Sequence, residues 1–278
     1  MARTAEFANV SHPGLKRAHN EDSSLTDAGL GLALVADGMG GYKSGEVASA
    51  IAAKAVLDGI RETLGKRRGL QREATASPAG VSIEAGMLRD TIERANTRIF
   101  DTAHALPQCQ GMGTTIVAAL FSGTRVTLAH VGDSRIYRFR DKQLSQITND
   151  HSLIQEMIDR GFYSPEEAKA NTPKNLVTRA LGIDPHVQVD VQEHELANGD
   201  IFLLCSDGLN DMVTDEEISL TLGKYGANLS ATAEELVRLA NQGGGKDNVT
   251  VVLARAPTAK KNPLSGLFRK VKDLFKKG

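Results

Sequence analysis

The sequence predicts an α+β fold, two packed antiparallel β-sheets flanked by helices. Strand-like and helix-like runs are grouped rather than alternating, which separates α+β from α/β chains. Mid-chain strands are joined by turns as short as Ser122-Gly123 and Asp141-Lys142, which suit antiparallel neighbours. The number of strand-like runs suggests two stacked sheets, with the helices outside.

Phe7–Val10 reads as a first strand, after which His12-Pro13-Gly14 turns the chain. Leu30–Ala36 is short and rich in Leu and Val, as expected of a strand buried on both faces, and is expected to stop at Asp37-Gly38. Ser44 caps a helix to about Leu64, with Val47, Ile51, Ala55 and Ile60 near one face. Gly65–Gly80, basic and then small and polar, reads as an exposed connection to a second helix over Ile83–Ala103, where Leu88, Ile92, Ala95 and Ile99 recur at helical spacing. Strands follow at Thr114–Phe121, Arg125–Val131, Ser134–Arg140 and Gln143–Ile147. From Asp150 to Ala180 the chain turns polar and helical, and the part from about 153 to 183 reads as a surface flap. Strands at Val187–Glu193 and Ile201–Cys205, helices at Asp215–Leu222 and Ala231–Gln242, and a strand at Val249–Ala254 complete the series.

Composition narrows the function classes. The 278 residues include no Trp and only 4% aromatics, which counts against base-stacking platforms and nucleic-acid partners. The net charge of −1 hides a split: from Pro257 on there are seven Lys or Arg against one Asp, which leaves an acidic body of about −7. Two cysteines, Cys109 and Cys205, make no disulfide framework and fit a reducing, cytoplasmic setting. The N-terminal stretch has no apolar targeting segment, and no apolar run has spanning length.

The chemistry concentrates in four motifs: RAHNED (Arg17–Asp22), VADGMGG (Val35–Gly41), LLCSDGL (Leu203–Leu209) and GGKDNVT (Gly244–Thr250). Taken singly, Asp37-Gly38 and Asp207-Gly208 read as turns, because Asp bonds its own backbone and Gly supplies positive φ. Asp133 in HVGDSR and Asp247 carry the same reading, and Asp22 reads as a helix or turn cap. Jointly they point elsewhere. Carboxylates converging on one sheet edge cannot all ionise without positive charge between them. Oxygen-only ligands select hard cations, Mn²⁺ or Mg²⁺. Arg17, four residues before Glu21, is the side chain suited to grip a phosphate, or else a surface ion-pair partner.

RAHNED, VADGMGG with SGEVAS, GMGTT, HVGDSRIY, DHSLIQEM, TRALG, LLCSDGL and GGKDNVT together resemble the blocks of the metal-dependent protein phosphatases, type 2C, in their bacterial form, over roughly Phe7–Ala254. The resemblance implies a catalytic domain over 1–256 and hydrolysis of phosphoserine or phosphothreonine, opposing a Ser/Thr kinase. It implies two Mn²⁺ or Mg²⁺ ions, with Asp37 bridging them, the Gly38 carbonyl on one, and Asp207 and Asp247 on the other. A third, weaker ion would be shared by Asp133 and Asp207. Glu21 and Asp22 would act through waters, Arg17 would hold the substrate phosphate, and a hydroxide bridging the metals would attack phosphorus in line. Where bacterial members commonly carry His after DGMGG, this chain has Tyr42, which leaves Tyr42 or His19 as the proton donor; His19 taken alone reads as solvent-facing. The other His residues match no ligand spacing.

Residues 257–278 lie outside the family's catalytic region. Leu264, Leu267, Phe268, Val271, Leu274 and Phe275 form an apolar stripe opposite Arg269, Lys270, Lys272, Lys276 and Lys277, as in a helix lying on an anionic membrane surface, docked in a partner groove, or folded onto the acidic body. The alternatives to a phosphatase are a catalytically weak metal-binding phosphoprotein scaffold and another metal-dependent hydrolase such as a nuclease. The acidic body counts against the nuclease.

Overall fold

Successive side chains of a strand point to opposite faces, and in the central strands of this chain both faces are apolar. The computed structural model describes residues 5–41, 44–69, 82–173 and 176–256. Tyr42, the 70–80 part of the inter-helix connection and the basic segment from 257 on lie outside the described residues. In chain order the elements are β1 (Glu6–His12), β2 (Asp22–Asp27), β3 (Leu32–Met39), α1 (Ser44–Gly69), α2 (Ile83–Ala105), β4 (Gly113–Thr114), β5 (Ile116–Ser122), β6 (Arg125–Val131), β7 (Arg135–Arg140), β8 (Gln143–Gln146), α3 (Leu153–Asp159), α4 (Pro165–Asn171), β9 (Asp190–Glu195), β10 (Ile201–Cys205), α5 (Asp207–Asn210), α6 (Asp215–Tyr225), α7 (Leu229–Gln242) and β11 (Val249–Arg255).

The strands form two antiparallel sheets, ordered β1-β11-β10-β7-β8 and β2-β3-β5-β6-β9, with β4 paired to β3. Strand alternation builds three apolar layers. Phe202 and Leu204 of β10 pack between the sheets with Val35, Val117, Val126, Leu128 and Val252. Ile201, Leu203 and Cys205 face the other way, onto Ile218, Leu222, Leu236 and Val237 of α6 and α7. Leu32, Leu34 and Ala36 of β3 meet Val56, Ile60, Leu88, Ile92 and Ile99 of α1 and α2. Each fully buried Leu or Ile is worth about 1.5–3 kcal/mol, so these two-faced strands weld helix, sheet, sheet and helix into one stack. Among the described residues, no helix is long and apolar enough to cross a membrane.

The predicted elements are present, with four corrections. Asp22 opens a strand, β2, rather than capping a helix or turn. β3 does not stop at Asp37-Gly38 but runs to Met39, paired with β4. Gly38 is there for close approach: a side chain on it would strike the backbone oxygens of Gly45 and Glu21. α1 runs five residues past Leu64; of its expected face Ala55 and Ile60 are buried and Ile51 packs against the core, but Val47 is 39% exposed and Ala48, Ala52 and Val56 are buried beside them. The strand expected at Val187–Glu193 lies at Asp190–Glu195. The flap holds two short helices, α3 and α4, each with a Ser N-cap, and presents Phe162 and Leu176 to solvent.

Candidate metal centre

The acidic residues collect where the chain crosses from one sheet to the other. Segment 13–21 carries it from β1 to β2, and Gly132-Asp133-Ser134 carries it from β6 to β7. Both crossings lie at one end of the sandwich, with the end of β10 and the start of β11: His12 pairs with Val249, and Cys205 pairs with Val251 and Arg135. Register does the rest. Asp22 is directly opposite Asp37 in the β2–β3 ladder, a placement that is repulsive for two like charges. Asp207 follows the Cys205–Arg135 pair on one strand as Asp133 precedes it on the other. The result is a cleft of about 200 Å³ lined by Arg17, Glu21, Asp37, Gly38, Asp133, Asp207 and Asp247, with Val177 from the root of the flap.

Each of these Asp side chains is half-buried, touching solvent through the cleft with protein packed behind it. Desolvation, reinforced by Asp22 and Asp207, holds Asp37 well above the usual carboxylate range. Desolvation first, then Asp133 and its acidic neighbours, raises Asp207. Asp133 is pushed up to about 6 by desolvation and then by Asp150. Desolvation also raises Glu21 and Asp22.

Hydroxyls hold these acids in place. Asn20 Nδ2 donates to Ser11 Oγ (2.8 Å), which adjoins Thr250 Oγ1 (2.7 Å), and Thr250 donates to Asp22 Oδ2 (2.6 Å). Ser206 Oγ donates to the same oxygen (2.8 Å). Such donors favour the ionised form of Asp22 against its desolvation. Asp22 Oδ1 is buried without a hydrogen-bond partner. Asp37 is fixed through its backbone: its N–H donates to Thr115 Oγ1 (3.1 Å), and its carbonyl accepts from Thr114 Oγ1 (2.8 Å) and Thr115 N–H (2.9 Å). Crowded carboxylates, an orphaned carboxylate oxygen and an all-oxygen donor set fit a hard divalent cation.

Arg17 is the guanidinium at this cleft. It is half-exposed and donates to Asp247 Oδ2 at 2.6 Å, the contact that does most to raise its pKa. The two sequence readings of Arg17 thus meet in one place, an ion pair at the mouth of the candidate phosphate site. His19 is exposed, and beside Glu21 it offsets only a small part of the desolvation that raises that residue.

Ser206, Thr250, Thr115 and Asn248 were missed as individual residues. All four lie inside the motif blocks, and membership of those blocks was the one signal that could have found them. A second cluster was also missed: His130, His151 and Asp190 bring potential ligand atoms within 4.8 Å of one another. Arg179 Nη1 already lies 3.0 Å from His151 Nε2 and 2.9 Å from Asp190 Oδ1, so a cation is built into that site. The largest cavity described, about 730 Å³ beside Arg94 and Pro185, contains none of the residues singled out from the sequence.

Comparison with known proteins bears on the fold and the family. The family model for protein phosphatase 2C matches residues 16–247. The chain is 41% identical over 259 residues to the serine/threonine protein phosphatase PstP of Mycobacterium tuberculosis, covering 91% of this chain and 46% of that protein, so it spans about half the length of that relative. It is 38% identical to the serine/threonine phosphatase stp of Listeria monocytogenes, covering 89% of this chain and 94% of that one. Among solved structures, the catalytic domain of PstP in complex with two manganese ions superposes with a TM-score of 0.76 at 38% identity, covering 91% of this chain and 98% of that one. Serine/threonine phosphatase Stp1 from Staphylococcus aureus gives 0.76 at 34% identity, covering 91% and 95%. By its motifs, its layered fold and these matches, the chain belongs to the protein phosphatase 2C family.

Proposed function

We propose that this protein is a metal-dependent phosphatase of phosphoserine and phosphothreonine in proteins, opposing a Ser/Thr kinase. The observation that carries the reading is the charge imbalance of the cleft: Glu21, Asp37, Asp133, Asp207 and Asp247 line it with Asp22 behind them, and Arg17 is the one cationic side chain among the described lining residues, Arg135 near Asp133 being already paired with Asp150. Asp37 and the Gly38 carbonyl, with Asp207 and Asp247, would hold two ions, and Asp133 with Asp207 a third; Glu21 and Asp22 would hold waters around them. Mn²⁺ is favoured over Mg²⁺ because the related PstP domain was solved with two manganese ions. Bound ions would lower the pKa of water far enough to supply a nucleophile near neutral pH.

The protein's own side chains do the rest. Arg17 leaves Asp247 to take a phosphate oxygen pair, which its planar fork fits. Thr250 and Ser206 favour the anionic form of Asp22 against the desolvation that raises it. The proton for the leaving alkoxide comes from Tyr42 or His19. Val177 and the exposed Phe162 and Leu176 give the flap apolar contacts for the polypeptide around the phosphoresidue. Residues 1–256 form the catalytic domain and 257–278 a tail whose basic, apolar-striped sequence supports contact with the inner face of the membrane. Truncation after Ala256 should abolish binding to anionic liposomes; unchanged binding removes that role.

The test of the activity is phosphate release from a phosphothreonine peptide with Mn²⁺ or with a chelator, for the wild type and Asp207→Asn. Turnover should need the metal and be lost in the variant. Robust turnover after complete chelation would refute the reading.

A further inference from the structure

The acids above come from separate segments, and something must hold those segments in register. Asn248 is 5% exposed, and its side-chain amide is fully engaged with one loop. Its Oδ1 accepts the backbone N–H of Glu21 at 2.7 Å. Its Nδ2 donates to the carbonyls of Pro13 (3.0 Å) and His19 (2.9 Å). These partners fix which end of the amide is which, since one is a donor and two are acceptors. All three lie in the crossing that carries Arg17 and Glu21, more than 220 residues away in sequence.

The same residue reaches two further parts of the cleft. Its backbone N–H donates to Asp247 Oδ1 at 2.8 Å, leaving Oδ2 to Arg17. Its carbonyl packs so tightly on Gly208 that a side chain at 208 would overlap it, which ties the position of Asp207 to that of Asn248. A second link, Leu15 N–H to Gly245 O at 2.7 Å, runs alongside the amide and closes the same pair of loops.

We infer that Asn248 is a positioning residue, a clamp that sets the phosphate-gripping segment 13–21 against the ion-holding residues Asp207 and Asp247. The inference rests on the phosphatase reading for the meaning of those roles, but the clamp itself is a matter of hydrogen bonds. Asn248→Asp is the informative change. It keeps shape and an acceptor for Glu21 N–H, removes both donors, and sets a carboxylate oxygen against two carbonyls.

In this variant, hydrogen exchange of the 13–21 amides should speed up at least about tenfold, and Mn²⁺ affinity by calorimetry should fall about ten- to a hundredfold, the range for groups that orient ligands. KM for a phosphopeptide should rise and kcat should fall, because Arg17 and Glu21 are misplaced together. Asn228→Ala, which removes an N-cap from α7 far from the cleft, should lower the melting temperature and leave exchange of 13–21, Mn²⁺ affinity and KM unchanged. A folded Asn248→Asp protein with wild-type exchange and wild-type Mn²⁺ affinity overturns the clamp. If the variant does not fold, the wild type decides: its Glu21 amide should exchange as slowly as those of β2, and exchange at the rate of an open loop overturns the clamp. A wild type that binds Mn²⁺ and passes the exchange test yet releases no phosphate leaves the clamp standing and removes the phosphatase reading.

Discussion

Two clusters of titratable side chains lie at the same end of this protein, and they are built on opposite principles. In the histidine cluster every charge is answered within the chain. Asp190 has Arg179 at 2.9 Å, and His151 Nδ1 accepts the Gly132 N–H at 3.0 Å while its ring stacks on His130. Burial, then His130 and Arg179, pushes His151 down to about 4, so the ring is neutral at physiological pH. In the acidic cleft the hydroxyls of Ser206 and Thr250 offset only part of the desolvation that raises Asp22, and little in the chain neutralises the carboxylates around it. Potential ligand atoms in proximity therefore say less about a metal site than the charge left over. The balanced cluster fastens the flap root, through Thr178 N–H to His151 O, to the loop bearing Asp133; the unbalanced one leaves negative charge uncompensated.

The sharpest way to break this contrast is to replace one titratable side chain in each cluster by an uncharged amide. Asp207→Asn should cut Mn²⁺-dependent turnover at least about a hundredfold, whereas His151→Gln should leave the number of Mn²⁺ ions bound, by calorimetry, as in the wild type. Loss of a bound ion in His151→Gln would erase the distinction. Next in size, Arg17→Ala should lower kcat/KM for a phosphopeptide about ten- to a hundredfold, the worth of charged hydrogen bonds to phosphate. It should change unfolding stability by under about 1 kcal/mol, because its pair with Asp247 is partly exposed; a large stability loss with unchanged kinetics would make Arg17 a structural ion pair only.

The smallest effect is in pH dependence, and here the two clusters differ in sign. Raised carboxylate pKa values mean that the metal-free folded state holds extra protons. The stability contributed by Asp133 and Asp207 is therefore full below the usual carboxylate range and lost as pH rises through about 6 for Asp133 and higher for Asp207. The His151 contribution is full above its ordinary value of 6.5 and lost as pH falls toward about 4. Thermal melts should accordingly show Mn²⁺ stabilising more at pH 8 than at pH 5.5, and His151→Gln flattening the acid side alone. An equal Mn²⁺ effect at both pH values would remove the carboxylate half of the comparison.

The sequence made most of this legible where hydrophobic alternation was strong. β10, with five buried residues in a row, and the Leu88–Ile99 face of α2 were read directly. β2 was not, because Asp-Ser-Ser-Leu-Thr-Asp has one large apolar residue and every position is half-buried at a sheet edge. Asp37-Gly38 looked like a turn because Asp-Gly usually is one; only the packing against Gly45 reveals that the glycine serves a close approach. The convergence of the acids followed from the joint pattern of their motifs. Asn248 and Arg179 lie inside the GGKDNVT and TRALG blocks, but nothing in the spacing names their partners, which are fixed by three-dimensional register.

The chain changes sheets three times at the acidic end, from β1 to β2, from β6 to β7 and through the flap from β8 to β9, and each half of the sandwich supplies only part of the acidic cluster: Asp22 and Asp37 come from one layer, and Asp207 and Asp247 flank strands of the other. Neither layer alone assembles the acidic cluster. On the proposed function, ion capture would therefore report correct assembly, and a misdocked or half-formed chain would be inert before it could act on the wrong protein.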